Sequence, residues 1–382
     1  MTAGAADPAS TEYAGNPELL QRAKGYVRAI MDPENTALPR LECPRPNVSR
    51  YAYLKPPEQK SHRRRKFLFA LDIRQKVALL PRLLGSVVEV MRVLGPENCA
   101  LSVVEGHSDD GTYEVLLAMR PELGRLGARY RIVRSVLTPG KTGERIDVLA
   151  QLRNLAVAPL VDSPQDWASD ATLVFLNDVA ACADDLLELV HQRRVLGADM
   201  TCAMDWTYVG RDPTFYDVWV ARSLSGDTFF EIPPDGNWDS AWNLFWNSPE
   251  DKARLAAHKP FQVFSCWNGA VAVTAHPLAK RVVRFRAARE GECYQGEPQL
   301  FCKDLWHAGF GRIAVVPSVN LEYDDEAARK IKAAKGYVDQ WVGAEDESFK
   351  IDWRLMPPEK VKCIPGAGYD KQEWRQWDET LE

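Results

Sequence analysis

The sequence predicts an α/β fold, a mainly parallel, Rossmann-like sheet flanked by helices. Three observations carry the prediction. Short apolar runs rich in Val, Leu and Phe, namely FLFALDI at 67–73, CALSVVE at 99–105 and TLVFL at 172–176, suit strands buried on both faces. Stretches of helical period alternate with them, as in a doubly wound sheet. Two of the runs lead into acids, Glu105 and Asp178, and in such sheets ligands sit beyond the carboxyl ends of the strands.

The elements follow in order. Leu19, Leu20, Ala23, Val27 and Ile30 fall at helical spacing and predict a helix over 17–31. The proline-rich span 33–57 reads as an extended arm packed on the surface. A basic run at 63–66 leads into a strand over 66–73; it is either a solvated strand entry or a phosphate contact. An amphipathic helix at 81–94, a strand at 99–105, a helix at 114–126 and a strand at 130–136 come next. A helix at 144–157 carries Arg153 and Asn154, then follow the 172–178 strand, a helix at 184–194 and a strand at 200–206. Residues 211–260, rich in Trp, Asp, Asn, Pro and Gly, read as irregular chain forming a substrate wall. Segments 263–274 and 313–321 and a helix near 325–342 close the domain. The tail after 348, with Trp353, Trp374 and Trp377, lies over the surface. The first fifteen residues read as linker. The chain thus divides into an N-terminal helix and arm (1–62), a catalytic domain (63–345) and a surface tail (346–382).

Composition narrows the function classes. The formal charge of −5 over 382 residues gives no global basic field for nucleic acid. With no signal peptide and no run of 18 apolar residues, the chain as given reads as soluble. The eight cysteines include no CxxC pair, so a zinc ribbon is not expected. Asn47-Val48-Ser49 is a sequon that would be exposed if used.

Two motifs carry chemistry. The turn Glu105-Gly106-His107-Ser108-Asp109-Asp110-Gly111-Thr112 can present carboxylates and N–H groups to a nucleoside, or it can be an ordinary turn in which Thr112 caps a helix. Asp178 can anchor a hard cation such as Mg²⁺ or Mn²⁺, which takes oxygen ligands and bridges to substrate phosphates; it can equally cap the helix that follows.

The strings VEGHSDDGT, QLRN, VFLNDV, FYDVWVAR, PFQVFSCWNGAV, GECYQGEPQLFCKDLW and GRIAVVPSVNLEY run in this order from about Phe67 to Tyr323. Together they resemble the fungal capsule-associated glycosyltransferases of family 69, the cryptococcal α-1,3-mannosyltransferase family. The resemblance implies a GT-A type fold and a retaining, metal-dependent α-mannosyltransferase. GDP-mannose would be the donor and a mannose-containing glycan the acceptor, with α-1,3 linkage, in capsule polysaccharide or cell-wall synthesis. It implies Mn²⁺, or Mg²⁺, and a type II protein of the Golgi lumen whose transmembrane segment is absent from this chain. Transfer from another nucleotide sugar, UDP-galactose or UDP-xylose, and a catalytically silent carbohydrate-binding scaffold are the alternatives.

On that resemblance the metal residues are Asp178 and His307; Leu-Asn-Asp replaces a strict DxD, so the second ligand stays open. Glu105, Ser108, Asp110, Gly111, Thr112, Arg134, Arg153, Asn177 and Lys303 would bind the nucleotide sugar. Glu297 and Asp304 are the catalytic candidates. Seven residues apart on one helix, they stand ~10 Å from each other, so one alone can serve the anomeric carbon, and Glu297 is favoured. Asp217, Trp219, Arg222, Trp267 and Asn268 are acceptor candidates, because indole packs on the apolar face of a sugar and Asp, Asn and Arg pair with its hydroxyls. Asp217 and Arg222 can instead form a buried ion pair beside core tryptophans. The oxidising compartment implies that at least one pair among Cys266, Cys293 and Cys302 is bridged.

Overall fold

The computed structural model describes residues 13–56, 64–343, 350–366 and 368–381; the first twelve of the fifteen residues expected as linker and Arg63 of the basic run lie outside them. Helix α1 (Pro17–Met31) starts where the Asn16 side chain accepts from the N–H groups of Glu18 and Leu19. It buries Ala23, Val27, Ala29 and Ile30. The proline-rich span after it is not the simple extended arm expected. Arg40 donates to the carbonyls of Ala29, Asp32, Pro33, Asn35 and Pro81 and so curls the chain. A short helix, α2 (Val48–Tyr51), follows.

The sheet begins with β1 (Arg65–Ile73), α3 (Leu80–Leu94) and β2 (Cys99–Glu105). The single helix expected over 114–126 is two, α4 (Thr112–Ala118) and α5 (Arg120–Leu126). Pro121 lacks an N–H and crowds the preceding turn, which breaks the ladder there. Next come β3 (Arg129–Arg134), α6 (Arg145–Asp162), β4 (Trp167–Leu176), α7 (Ala183–Val195) and β5 (Met200–Val209). Helix α6 runs five residues past its expected end, through Pro159. The Leu155 carbonyl, which loses its partner to that proline, accepts from Arg131 Nη1 at 2.8 Å instead.

Residues 211–260 are largely irregular, holding β6 (Asp212–Phe215), β7 (Arg222–Ser223) and α8 (Pro249–Ala256). The 263–274 segment proves to be two strands, β8 (Phe261–Ser265) and β9 (Ala270–Thr274), divided by a turn in which Asn268 and Gly269 have φ of 54° and 83°. The chain ends with α9 (His276–Ala279), α10 (Glu297–His307), β10 (Ile313–Leu321), α11 (Asp325–Lys335), α12 (Val338–Trp341) and a hairpin of β11 (Lys360–Cys363) and β12 (Glu373–Gln376).

The strand order is β3-β2-β1-β4-β9-β5-β10-β8-β7, with β6 paired to β5. The long strands β1 to β5 and β10 point one way, as expected of a mainly parallel α/β sheet. Strand β9 runs against them, wedged between β4 and β5. One apolar cluster unites α1, α2, α3 and α7 with one face of the sheet. The other face is covered by α6, α10 and the aromatic 215–245 segment.

Disulfides join Cys43 to Cys182, Cys202 to Cys266 and Cys293 to Cys363, while Cys99 and Cys302 are free and buried. No two of Cys266, Cys293 and Cys302 are joined to each other, contrary to expectation: each of the first two reaches a partner more than sixty residues away. Among the described residues no helix is long and apolar enough to cross a membrane.

Candidate active site

At the carboxyl edge of β1, β4 and β5 the chain brings together Asp72, Asp178 and Asp205, joined by Asp217 after β6 and Glu297 at the start of α10. Arg153 reaches them from α6. Its Nε donates to Glu297 Oε1 at 2.7 Å, and both side chains are buried. The guanidinium also lies over Trp267, 4.6 Å from the ring centroid, and Phe175, at 5.0 Å. Burial pulls the Arg153 pKa down, but the charges of Glu297, Asp72 and Asp217 overcome this and the net direction is up. Arg153 Nη1 is buried without a hydrogen-bond partner, as is Asp205 Oδ1. Each is an opening for a ligand atom.

Asp205 and Asp217 face one another electrostatically. Burial, then the charge of Asp217, raises the Asp205 carboxyl well above its usual range. Burial likewise pushes Asp217 up, to about 6, against the pull of the Asn268 N–H and Arg153. Tyr323 donates to Asp205 Oδ2 at 2.6 Å and packs on Tyr216. Burial also raises Asp72, against the pull of Arg153. The signal for Asp72 lay in plain view as the only charge inside FLFALDI.

Asn177 and Asp178 follow β4. Asn177 donates its N–H to the Gly269 carbonyl and accepts from Trp267 Nε1 at 3.0 Å. Asp178 Oδ2 lies 2.7 Å from Lys76 Nζ. Among the described residues no three His, Cys, Asp or Glu side chains are gathered as a metal-binding group. The carboxylate-rich rim does fit a hard divalent cation held by one or two acids and completed by phosphate oxygens. Asp178 would hold it, and the cation would stabilise the charge of a departing phosphate.

The polar side chains of the Ser108–Thr112 turn bond to the loop that follows β1. Ser108 Oγ accepts from the N–H of Gln75, Thr112 Oγ1 from that of Lys76 and Asp110 Oδ2 from that of Val77, at 2.8–2.9 Å. Gly111, with φ of 103°, makes the bend that allows it. Glu105 is fully buried, and its Oε1 accepts from the Ser108 N–H. Its Oε2 stands 3.6 Å from Arg134 Nε, and neither atom has a hydrogen-bond partner. Arg134 lies under Tyr13 and Tyr113.

Several expected site residues are engaged elsewhere. Lys303 Nζ donates to Glu292 Oε1 and the Glu379 carbonyl, and Asp304 accepts two 2.7 Å bonds from Arg286. Lys303 thereby faces the C-terminal tail. His307 is exposed at the far end of α10, roughly 15 Å along the helix from Glu297, and the chain beyond it enters β10 at the amino edge of the sheet. It therefore cannot share a metal with Asp178. Arg222 is fully buried and donates to the carbonyls of Val218, Ala221 and Lys362. It makes no hydrogen-bonded pair with Asp217. Trp267 and Asn268 are buried; Asn268 donates from Nδ2 to the Ala203 carbonyl and from its N–H to Asp217 Oδ2. These two shape the rim from beneath rather than touch an acceptor. Trp219 is half-buried and donates to the Ile364 carbonyl.

Residues 66–304 match the family described as Cryptococcal mannosyltransferase 1. An α-1,3-mannosyltransferase of Cryptococcus neoformans is 37% identical over 345 residues, covering 84% of this chain and 72% of that protein. Among solved structures, TarS of S. aureus overlaps 68% of this chain and 60% of its own at 15% identity and a TM-score of 0.39. A Pyrobaculum calidifontis mannosyltransferase in complex with GDP-Man and Mn²⁺ overlaps 83% and 70% at 13% identity and a TM-score of 0.40. The chain spans less than two thirds of the TarS structure, and both TM-scores are too low to bear on function. The extent of the family match and the identity to the cryptococcal enzyme settle the assignment: the chain is a glycosyltransferase of the cryptococcal mannosyltransferase 1 family.

Proposed function

We propose that the protein transfers mannose from GDP-mannose to a mannose-containing glycan with α-1,3 linkage and retention, assisted by a divalent cation, Mn²⁺ in the first instance. By the family's setting it would work in the Golgi lumen, in capsule or cell-wall synthesis. The observation that carries the reading is the 37% identity to an α-1,3-mannosyltransferase over 84% of the chain. The carboxylate rim supports it. Asp178 offers the cation an oxygen ligand, and the cation would neutralise the leaving diphosphate. Arg153 Nη1, lacking a partner, offers a donor to a phosphate or sugar oxygen. Glu105 and Arg134, an ion pair at the ends of β2 and β3, are our candidates for contacting the base. Glu297 is our candidate for the acid that steadies positive charge at the anomeric carbon. Thermal unfolding with GDP, UDP and Mn²⁺ tests the reading. A ligand at 100 times its Kd adds about 2.7 kcal/mol. Protection by GDP with Mn²⁺ is expected, whereas protection by UDP alone replaces the mannosyl donor with a uridine one.

A further inference from the structure

We propose that Lys76 is a diphosphate-binding residue held in reserve, its ammonium resting on Asp178 where a divalent cation sits once a nucleoside diphosphate is bound. The inference rests on the donor reading above and adds a residue to it. The Lys76 and Asp178 side chains are 32% and 34% exposed, so the pair sits in the open rim and is weakly held.

The loop that carries Lys76 is, by contrast, firmly built. Three consecutive N–H groups, those of Gln75, Lys76 and Val77, are taken by Ser108, Thr112 and Asp110. The Gln75 side chain donates to Asp109 Oδ1 and accepts from the N–H groups of Asp109 and Asp110. Gln75 itself holds a φ of 55°, an uncommon conformation for a residue with a side chain. Ser108, Asp109, Asp110 and Thr112 of the turn after β2 thus all bond to the loop that places one lysine just past the end of β1, beside β4. An open ion pair gains little from such support; a residue that must meet a ligand at a fixed place gains accuracy from it.

The four-carbon stem of lysine leaves its ammonium free to move while Cα is fixed. A divalent cation arriving at Asp178 repels the ammonium at close range, and the diphosphate it brings supplies a new counter-charge. The exchange makes and breaks ionic contacts only.

Three forms of the chain test this: wild type, Lys76→Met and Lys76→Arg. Mn²⁺ alone is titrated by the electron paramagnetic resonance signal of the free ion, and GDP at saturating Mn²⁺ by calorimetry. Lys76→Met is expected to bind Mn²⁺ alone at least about threefold tighter, because the competing ammonium is gone, and GDP at least about tenfold weaker. Lys76→Arg, which keeps the charge, is expected to hold GDP within about threefold of wild type. Smaller changes in either Lys76→Met titration, or loss of GDP binding in Lys76→Arg, overturn the proposal. If wild type itself binds no GDP with Mn²⁺, the donor reading falls and takes this inference with it. If wild type binds and Lys76→Met matches it, only the role of Lys76 falls.

Discussion

Arg153 and Glu297 stand 144 residues apart in the chain and 2.7 Å apart in the structure. The contact joins α6 to the first turn of α10 and sets a charged pair among Trp267, Phe175 and Phe285. A neighbour on the same helix reinforces it. Asn154 exchanges two hydrogen bonds with the backbone of Phe285, fixing the segment that leads to Glu297. The Arg-Asn dipeptide therefore positions the carboxylate twice, once directly and once through the chain before it.

Glu297→Gln keeps shape and hydrogen bonding but removes the charge. Turnover is expected to fall roughly a hundredfold, about 2.7 kcal/mol of barrier, with GDP affinity little changed. Steady-state kinetics beside calorimetry check this. Unaltered turnover moves the search to Asp205, Asp217 and Asp227.

Asp304→Asn gives the contrasting result. Asp304 shares Arg286 with Glu292, which that partnership, despite burial, brings down to about 2. Turnover is expected to stay within a few-fold of wild type while stability drops by roughly 1–3 kcal/mol, read from chemical denaturation. A hundredfold loss of kcat would return Asp304 to the chemistry.

Most of the fold was legible because apolar runs and helical periods report burial locally. The sequence placed α1 and β2 to the residue. Two of its misses are local and the rest depend on distant partners. Pro121 breaks a helix that periodicity alone continues, and β8 and β9 look like one strand because both are apolar. At the site, residue type located the rim but not direction: Ser108, Asp110 and Thr112 bond inward to a loop more than thirty residues earlier. Arg222 and Lys303 carry charges suited to a ligand, yet meet the Lys362 and Glu379 carbonyls of the C-terminal tail and, for Lys303, the Glu292 carboxylate. Lys76 escaped notice because its partner Asp178 is a hundred residues away and nothing local marks it.

Asp178→Ala is expected to fold normally, since the side chain is a third exposed, and to lose Mn²⁺-dependent GDP binding by about tenfold or more. Calorimetry with and without Mn²⁺ decides; equal affinities would remove Asp178 from the metal site.

The bond between Cys293 and Cys363 ties the segment before Glu297 to the C-terminal hairpin, a separation of 70 residues. The Ile364 carbonyl next to it accepts from Trp219 and Gln295. Replacing both cysteines by serine is expected to cost about 4 kcal/mol by loop-closure entropy and to lower kcat more than GDP affinity. Denaturant melts and kinetics measure both, and an unchanged kcat would show that the hairpin is only a cover.

Asp217 predicts a pH dependence. Its folded pKa, about 6, lies above an unfolded value of about 3.9. The native state thus binds more protons between those values, so this group's contribution to stability is full below about pH 4 and lost as pH rises through 6. Asp205, shifted the same way, adds to the effect. Asp217→Asn is expected to gain stability over wild type as pH rises from 4 to 7, on the order of 2 kcal/mol. Melts across that range measure the gap; a constant gap would mean that Asp217 titrates normally.

The reversed strand β9 has a consequence for how the protein is made. During synthesis β1 to β4 can pair as soon as they emerge, but β4 and β5 cannot join one sheet until residues 270–274 bridge them. Until then both present open edges, which are templates for pairing with another chain. Asn177, whose N–H waits for the Gly269 carbonyl, waits with them. A ribosome stalled before residue 270 therefore holds a nascent chain that is sticky and cannot yet shape its carboxylate rim. Truncations that end within the aromatic 211–260 segment should aggregate rather than yield a smaller working enzyme.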